Sequence, residues 1–260
     1  MSITVTLLED ALRALVVEGE WEKYLKVQSR FRTYSARNAL LIARQCPGAT
    51  HVAGYRTWQS LERQVVKGSR AIKIVAPNKR DDGSLGFRTV SVFDISQTTG
   101  AALPATPQLL TGEDQAGLFE ALLIVAQDRG FTASRGELPD GVNGLCSHLA
   151  QTITISATLP PRHQAKTLAH ELGHALLHGD LGVTRAIAEF EAESIAYLVC
   201  HAFGIESATY TFSYIMQWAG GPTQALEAIL TSGERIRATA EAIVDRAQRY
   251  LEGSISQDVA

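Results

Sequence analysis

Apolar positions along this chain recur at two spacings, and each spacing predicts a class of element. In the first third, Leu7, Leu8, Leu12, Leu15 and Val16 form a stripe at helical intervals, which predicts a helix over residues 4–28. Ser35 is placed to cap a second helix over Ala36–Cys46, ended by Pro47-Gly48. A third, short helix is predicted over Tyr55–Val65, before the turn Lys67-Gly68-Ser69. Ala71–Ala76 and Phe87–Ile95 are β-rich runs joined by a hairpin loop at Asp81-Asp82-Gly83-Ser84. Gln97–Gln108, with Gly100, Pro104 and Pro107, has the composition of a linker. The helical spacing returns over Asp114–Arg129, from Pro160-Pro161 to Gly179, over Thr184–Phe203, and at about 210–218 and 223–252. Between these lie a glycine-rich loop at Gly136–Gly144 and an alternating strand at Gln151–Ser156. The polar tail 254–260 is expected to fray. The pattern predicts an α+β protein. A small mixed helix/hairpin domain (1–100) and a linker (101–112) precede a mainly helical domain with a short sheet (113–253).

Composition narrows the classes of function. The 260 residues are 45% hydrophobic and 20% charged, enough for a proper core. No apolar run approaches the roughly 20 residues of a membrane span, so no membrane partner is expected. The first residues lack a basic segment ahead of the apolar stretch and do not read as a signal peptide. Cys46, Cys146 and Cys200 are too few and too scattered for a disulfide framework or a four-cysteine zinc site. Reduced thiols in the cytoplasm are the expectation. The net charge of −3 conceals a division. Residues 21–80 hold thirteen Lys/Arg against two acids, a local +11, whereas residues 81–260 carry −11. The first part therefore suits a polyanionic partner.

The chemistry concentrates in Lys166–His178, which contains His170-Glu171-Leu172-Gly173-His174 on a predicted helix. His170 and His174 fall one turn apart on a common face, within reach of a single ion. Two neutral imidazoles at this spacing suit zinc. Glu171 beside them can take a proton from water at the metal, which is the arrangement of a zinc peptidase. A catalytic zinc needs a third protein ligand. The next helix offers Glu189, Glu191 and Glu193; Glu189 and Glu193 share a face, and Glu191 points elsewhere. One of the pair can bind the metal while the other accepts a histidine N–H. His178 is a rival, but it lies along a row running away from the ion. A third histidine at 180 with glycine at 177 would mark another zinc pattern, and this chain has Leu177 and Asp180. Cys146 and His148 could approach from the preceding loop. Tyr197 or His201 is a candidate to stabilise an oxyanion.

On these residues the second half resembles the ImmA/IrrE-type zinc metallopeptidases, in which His-Glu-x-x-His precedes a helix with Glu-x-x-Ala-Asn-x-x-Ala. The corresponding run is Glu189-Phe190-Glu191-Ala192-Glu193-Ser194-Ile195-Ala196, so the resemblance gives Glu189 the ligand place, with Glu193 as alternate or outer partner. The first half resembles the N-terminal domain of ArdC antirestriction proteins. The matching words are Tyr34-Ser-Ala-Arg37-Asn38, Gly54-Tyr-Arg-Thr-Trp58, Val65-Val-Lys67-Gly68, Ile72-Lys-Ile-Val-Ala-Pro77 and Val92-Phe-Asp94-Ile-Ser-Gln97. That resemblance implies single-stranded DNA binding. Arg32, Arg37, Arg56, Lys67, Arg70 and Lys73 are the candidate phosphate contacts, with Tyr34, Asn38 and Trp58 from the matching words.

The expected function is therefore a single-stranded-DNA-binding zinc metallopeptidase of ArdC type, acting in antirestriction or on a DNA-associated protein. Two rivals stand beside it: a non-catalytic DNA-coating module with a structural zinc, and a regulatory peptidase that cuts a repressor.

Overall fold

A computed structural model describes residues 21–79, 85–103, 116–179, 182–205 and 222–258, with five positions between 8 and 15. The chain forms two compact units, one within Met1–Pro107 and Ala219–Leu230, the other within Gln108–Trp218 and Thr231–Ala260. Each mixes helix with small sheets, an α+β architecture. Among the described residues, no helix is long and apolar enough to cross a membrane.

In the first unit, α1 (Trp21–Arg30) and α2 (Ala36–Gln45) pack beside a three-stranded sheet of order β1-β4-β3: Val52–Ala53, Leu85–Asp94 and Ile72–Lys79. Ser35 caps α2 by accepting the Asn38 N–H. Alternation along β3 and β4 sends Ile72, Ile74, Val90 and Val92 inward against Val27, Phe31, Ile42 and Ala49. The opposite face carries Lys73, Pro77, Phe87, Thr89 and Ser91. The outer edge of β3 is closed by two carboxamides from α2. Asn38 donates to Val75 O (2.8 Å) and accepts from Val75 N–H (2.9 Å). Gln45 does the same for Lys73, at 2.8 and 2.9 Å. Asp94, at the end of β4, accepts from the backbones of Thr50, His51 and Ser96 at 2.7–3.0 Å. These bonds hold its carboxyl below the ordinary range despite burial.

Several sequence expectations are corrected here. The predicted helix over Tyr55–Val65 stops at Ser60 (α3, Tyr55–Ser60). The chain turns through Glu62 at positive φ, and Arg63–Val65 (β2) pairs with Thr98–Gly100 (β5). Part of the predicted linker is thus a strand. Gly100 is required there, because a Cβ would lie 2.3 Å from Glu62 O. The long first helix is seen as α1 and as helical positions among residues 8–15. The Asp81–Ser84 loop and the 210–218 helix lie outside the described residues.

In the second unit, α4 (Ala116–Asp128) and α5 (Pro161–Leu177) pack together beside a sheet of order β6-β8-β7, where β6 is Thr132–Gly136, β7 is Gly144–Ser147 and β8 is Thr152–Ser156. β6 runs parallel and β7 antiparallel to β8. The predicted loop from Gly136 to Gly144 is flanked on both sides by strands that the apolar pattern did not show. Against α5 lies α6 (Arg185–Ala202), capped by Thr184. Leu168, Ala169 and Leu172 of α5 and Ala192, Ile195 and Ala196 of α6 are fully buried. The helices cross at Gly173, where a Cβ would stand 2.9 Å from Ala192 Cα. The long α7 (Pro222–Asp258) buries Ile236, Ile243 and Val244. It continues through Asp258, where the sequence predicted a frayed tail.

Candidate metal centre and nucleic-acid surface

The crossing of α5 and α6 decides the geometry of the histidine motif. His170 and His174 project from one face of α5, with their Nε2 atoms 3.1 Å apart. Glu189, one turn into α6, brings Oε2 to 3.5 Å from His170 Nε2 and 3.7 Å from His174 Nε2. Two ligands each about 2.05 Å from a tetrahedral zinc are about 3.3 Å apart. The three atoms therefore form a triangle of the size that a single divalent ion requires, and the donor set of two imidazoles and one carboxylate suits zinc. Among the described residues, this is the one group of histidine, cysteine and acidic side chains that converges in this way.

Glu193 is placed differently. Its Oε2 lies 3.0 Å from Nδ1 of His170, and its Oε1 lies 3.1 Å from Lys166 Nζ. If Nε2 faces the ion, Nδ1 carries the proton and donates to Glu193, which fixes the ring. Without an ion, burial opposes the charge on His170. The carboxylates of Glu189 and Glu193 outweigh it and raise the imidazole to about 9. The hydrogen bonds from His170 and His174 hold Glu189 far below the ordinary carboxylate range.

Glu171 is buried, at 8% exposure, on the β7 side of the cleft. Burial raises its carboxyl above the usual value, while the neighbouring imidazoles and the Cys146 N–H work the other way. A carboxyl shifted in this direction holds a proton more readily than an ordinary one, which suits a group that takes up and returns protons. Its place depends on Gly144, since a Cβ there would lie 2.6 Å from Glu171 Oε1. Sequence reasoning missed Gly144, because nothing in the local pattern shows which helix residue its strand will cross.

Other predicted roles move. Cys146 lines the cleft, where burial and the charge of Glu171 push its thiol up to about 11, and its sulfur is not among the atoms that converge with His170, His174 and Glu189. His148 Nε2 lies 3.1 Å from the His174 backbone carbonyl, a packing position. His178 Nδ1 is 3.0 Å from Nδ1 of His174, the ring nitrogen that does not face His170 and Glu189. Tyr197 is buried and stacked on His201, and neither lines the cleft. Lys166 and Arg185 are the cationic side chains among the residues that line it, and His163 lines it too.

The residues expected to contact DNA separate into two groups. Trp58 is 1% exposed and donates its indole N–H to Phe93 O (2.9 Å), so it is part of the fold and offers no stacking face. Asn38 is committed to β3. Tyr34 packs edge-on against Phe31, with its hydroxyl toward Val52 O. Arg32 is half-buried. Arg37, Arg56, Lys67 and Arg70 are exposed, and Lys73 is half-exposed with Nζ on Ser91 Oγ. The aromatic rings open to solvent in this unit are Tyr55 (47%) and Phe87 (72%). Phe87 escaped the sequence reading because it lies just past the basic segment.

Comparison with known proteins matches these two halves separately. Residues 6–93 match the model of the N-terminal domain of anti-restriction factor ArdC, and residues 124–217 match the IrrE N-terminal-like domain. The chain joins an ArdC-type N-terminal domain to an IrrE-like domain. The Mn(II)-bound crystal structure of antirestriction ArdC from the R388 plasmid shares the fold. Its TM-score is 0.59 at 19% identity, over 86% of this chain and 97% of that one. The metal-free structure of the same protein gives 0.58 at 18% identity, over 83% and 86%. An uncharacterized protein of Bacillus anthracis is 26% identical over 278 residues, covering 86% of this chain. The chain spans about half the length (47%) of that relative. The His-Glu-x-x-His helix and α6 with Glu189 both fall inside the residues matched to the IrrE-like domain.

Proposed function

We propose that this protein is a zinc-dependent peptidase whose ArdC-type domain holds single-stranded DNA, and that it serves antirestriction by cleaving a DNA-associated protein. The observation that carries the reading is the triangle of His170, His174 and Glu189 with Glu171 beside it in one cleft of about 730 Å³. Zinc bound there would lower the pKa of a coordinated water and polarise a peptide carbonyl. The chain's own residues supply the rest. Glu171, held by the Cys146 N–H, is the base that accepts a proton and returns it to the leaving amine. Glu193, itself held by Lys166, holds the His170 ring. β7 is an edge strand of its sheet, and its residues Gly144 and Leu145 border the cleft beside Cys146. An extended polypeptide can align there by main-chain hydrogen bonds.

For DNA, the reading rests on exposed Arg37, Arg56, Lys67 and Arg70 with Tyr55 and Phe87 as stacking faces. The free thiols of Cys46, Cys146 and Cys200 agree with action in the cytoplasm. The decisive variant is Glu171→Gln, assayed for metal content and for cleavage of DNA-bound protein substrates. Zinc is expected to remain stoichiometric while cleavage falls at least a hundredfold, taking a general base to be worth about 10²–10⁴. Unchanged cleavage would exclude Glu171 as the base. Antirestriction that survives in this variant would instead favour a DNA-coating module with a structural zinc.

A further inference from the structure

The proposed chemistry accounts for Glu189 and Glu193 on α6 but leaves Glu191 without a role. Glu191 lies on the opposite side of the helix and is fully buried, at 0% exposure. Its Oε2 is 3.0 Å from His178 Nε2 and 3.2 Å from Arg235 Nη2, while its Oε1 is buried without a hydrogen bond. A buried carboxylate with one oxygen unsatisfied is costly, and an apolar side chain would fill the space more favourably. Its partners indicate what the carboxylate holds. His178 Nδ1 lies 3.0 Å from His174 Nδ1. With Glu191 as the acceptor, His178 presents N–H at Nε2, and the neutral ring then has its lone pair at Nδ1. That lone pair accepts the His174 Nδ1–H, leaving the His174 Nε2 lone pair aimed at the position shared with His170 and Glu189. Arg235 also donates to Leu177 O (3.2 Å), so α7 ties both Glu191 and the end of α5.

We infer that Glu191, Arg235 and His178 form a positioning relay that selects the His174 tautomer and sets the affinity of the metal centre. The relay is the counterpart on His174 of what Glu193 and Lys166 do for His170. It rests on the metal-site reading above, and the test separates the two. In the full chain, zinc affinity is measured by chelator competition for the wild type, His178→Phe, Glu191→Gln and His178→Gln. Thermal stability of the metal-free form and the ¹⁵N signature of the His174 ring are recorded for each. His178→Phe removes the acceptor and is expected to weaken zinc binding by about 10–100-fold, the range found for partners of this kind. It is also expected to mix the His174 tautomers. Glu191→Gln is expected to weaken binding by about tenfold. His178→Gln, whose carboxamide can accept and donate at once, is expected to recover most of the loss. Wild-type affinity in His178→Phe overturns the relay. So do equal losses in Phe and Gln variants that track metal-free stability with the tautomer unchanged, since those mark a packing role. A wild-type chain that binds no zinc overturns the metal site itself, and the relay with it.

Discussion

His170 sets the pH behaviour of the cleft. Two carboxylates face its ring, and without metal they raise it to about 9 from an ordinary 6.5. A raised basic group stabilises the fold fully below its unfolded value and loses that contribution as pH climbs through the folded one. The metal-free second unit is therefore expected to lose stability between pH 6.5 and about 9. Metal must displace the same proton. Affinity is expected to rise about tenfold per pH unit over this window, with close to one proton released per ion at neutrality. Titration calorimetry in buffers of different ionisation enthalpy checks this; release near zero would show that Glu189 and Glu193 do not hold His170 charged. His170, Glu171 and His174 were legible in the sequence because a four-residue interval on a helix fixes their mutual position. Glu189 was legible only as one of two acids on a shared face. The choice between them depends on how the two helices cross, which local pattern does not encode. Gly144 and Phe87 were missed for a related reason, since their roles follow from which strand they join.

At the scale of elements, the clearest device is the pair of carboxamides that closes the β3 edge. An open edge invites pairing with other chains, and here Asn38 and Gln45 occupy its donors and acceptors. Asn38→Ala leaves the Val75 N–H and C=O without their partner and is expected to cost about 1–3 kcal/mol. Denaturant unfolding followed by the Trp58 signal measures that loss. DNA affinity at low temperature is expected to stay at the wild-type level; a marked fall would return Asn38 to the binding surface. The helices of both units were legible from their punctuation: Ser35, Thr184, Pro161 and the glycines that follow. The strands β2, β5, β6 and β7 were not. They are three to five residues long and largely polar, and Arg63–Val65 or Thr98–Gly100 becomes a strand only because the other lies beside it.

For the molecule as a whole, charge is divided between the two halves of the sequence. The basic segment 21–80 carries +11 and lies in the ArdC-type domain, whereas the remainder past residue 80 carries −11. The DNA proposed above would therefore be held by the first unit. Five cationic groups, Arg37, Arg56, Lys67, Arg70 and Lys73, are available to phosphates. If each neutralises one phosphate of a single strand, affinity falls about a hundredfold between about 50 and 200 mM salt. Fluorescence anisotropy with a labelled oligonucleotide gives the slope, and a flat response would rule out phosphate-driven binding. The crossing of α5 and α6 has a further consequence, visible at Gly173. There the two helices approach so closely that a methyl group would press on Ala192 Cα at 2.9 Å. The helices act as the arms of a caliper, with the imidazole pair on one jaw and Glu189 on the other. Its closed setting is gauged by a hydrogen atom in place of a side chain. On the proposed metal-site reading, the ionic radius the jaws would accept is set by a residue outside the donor set.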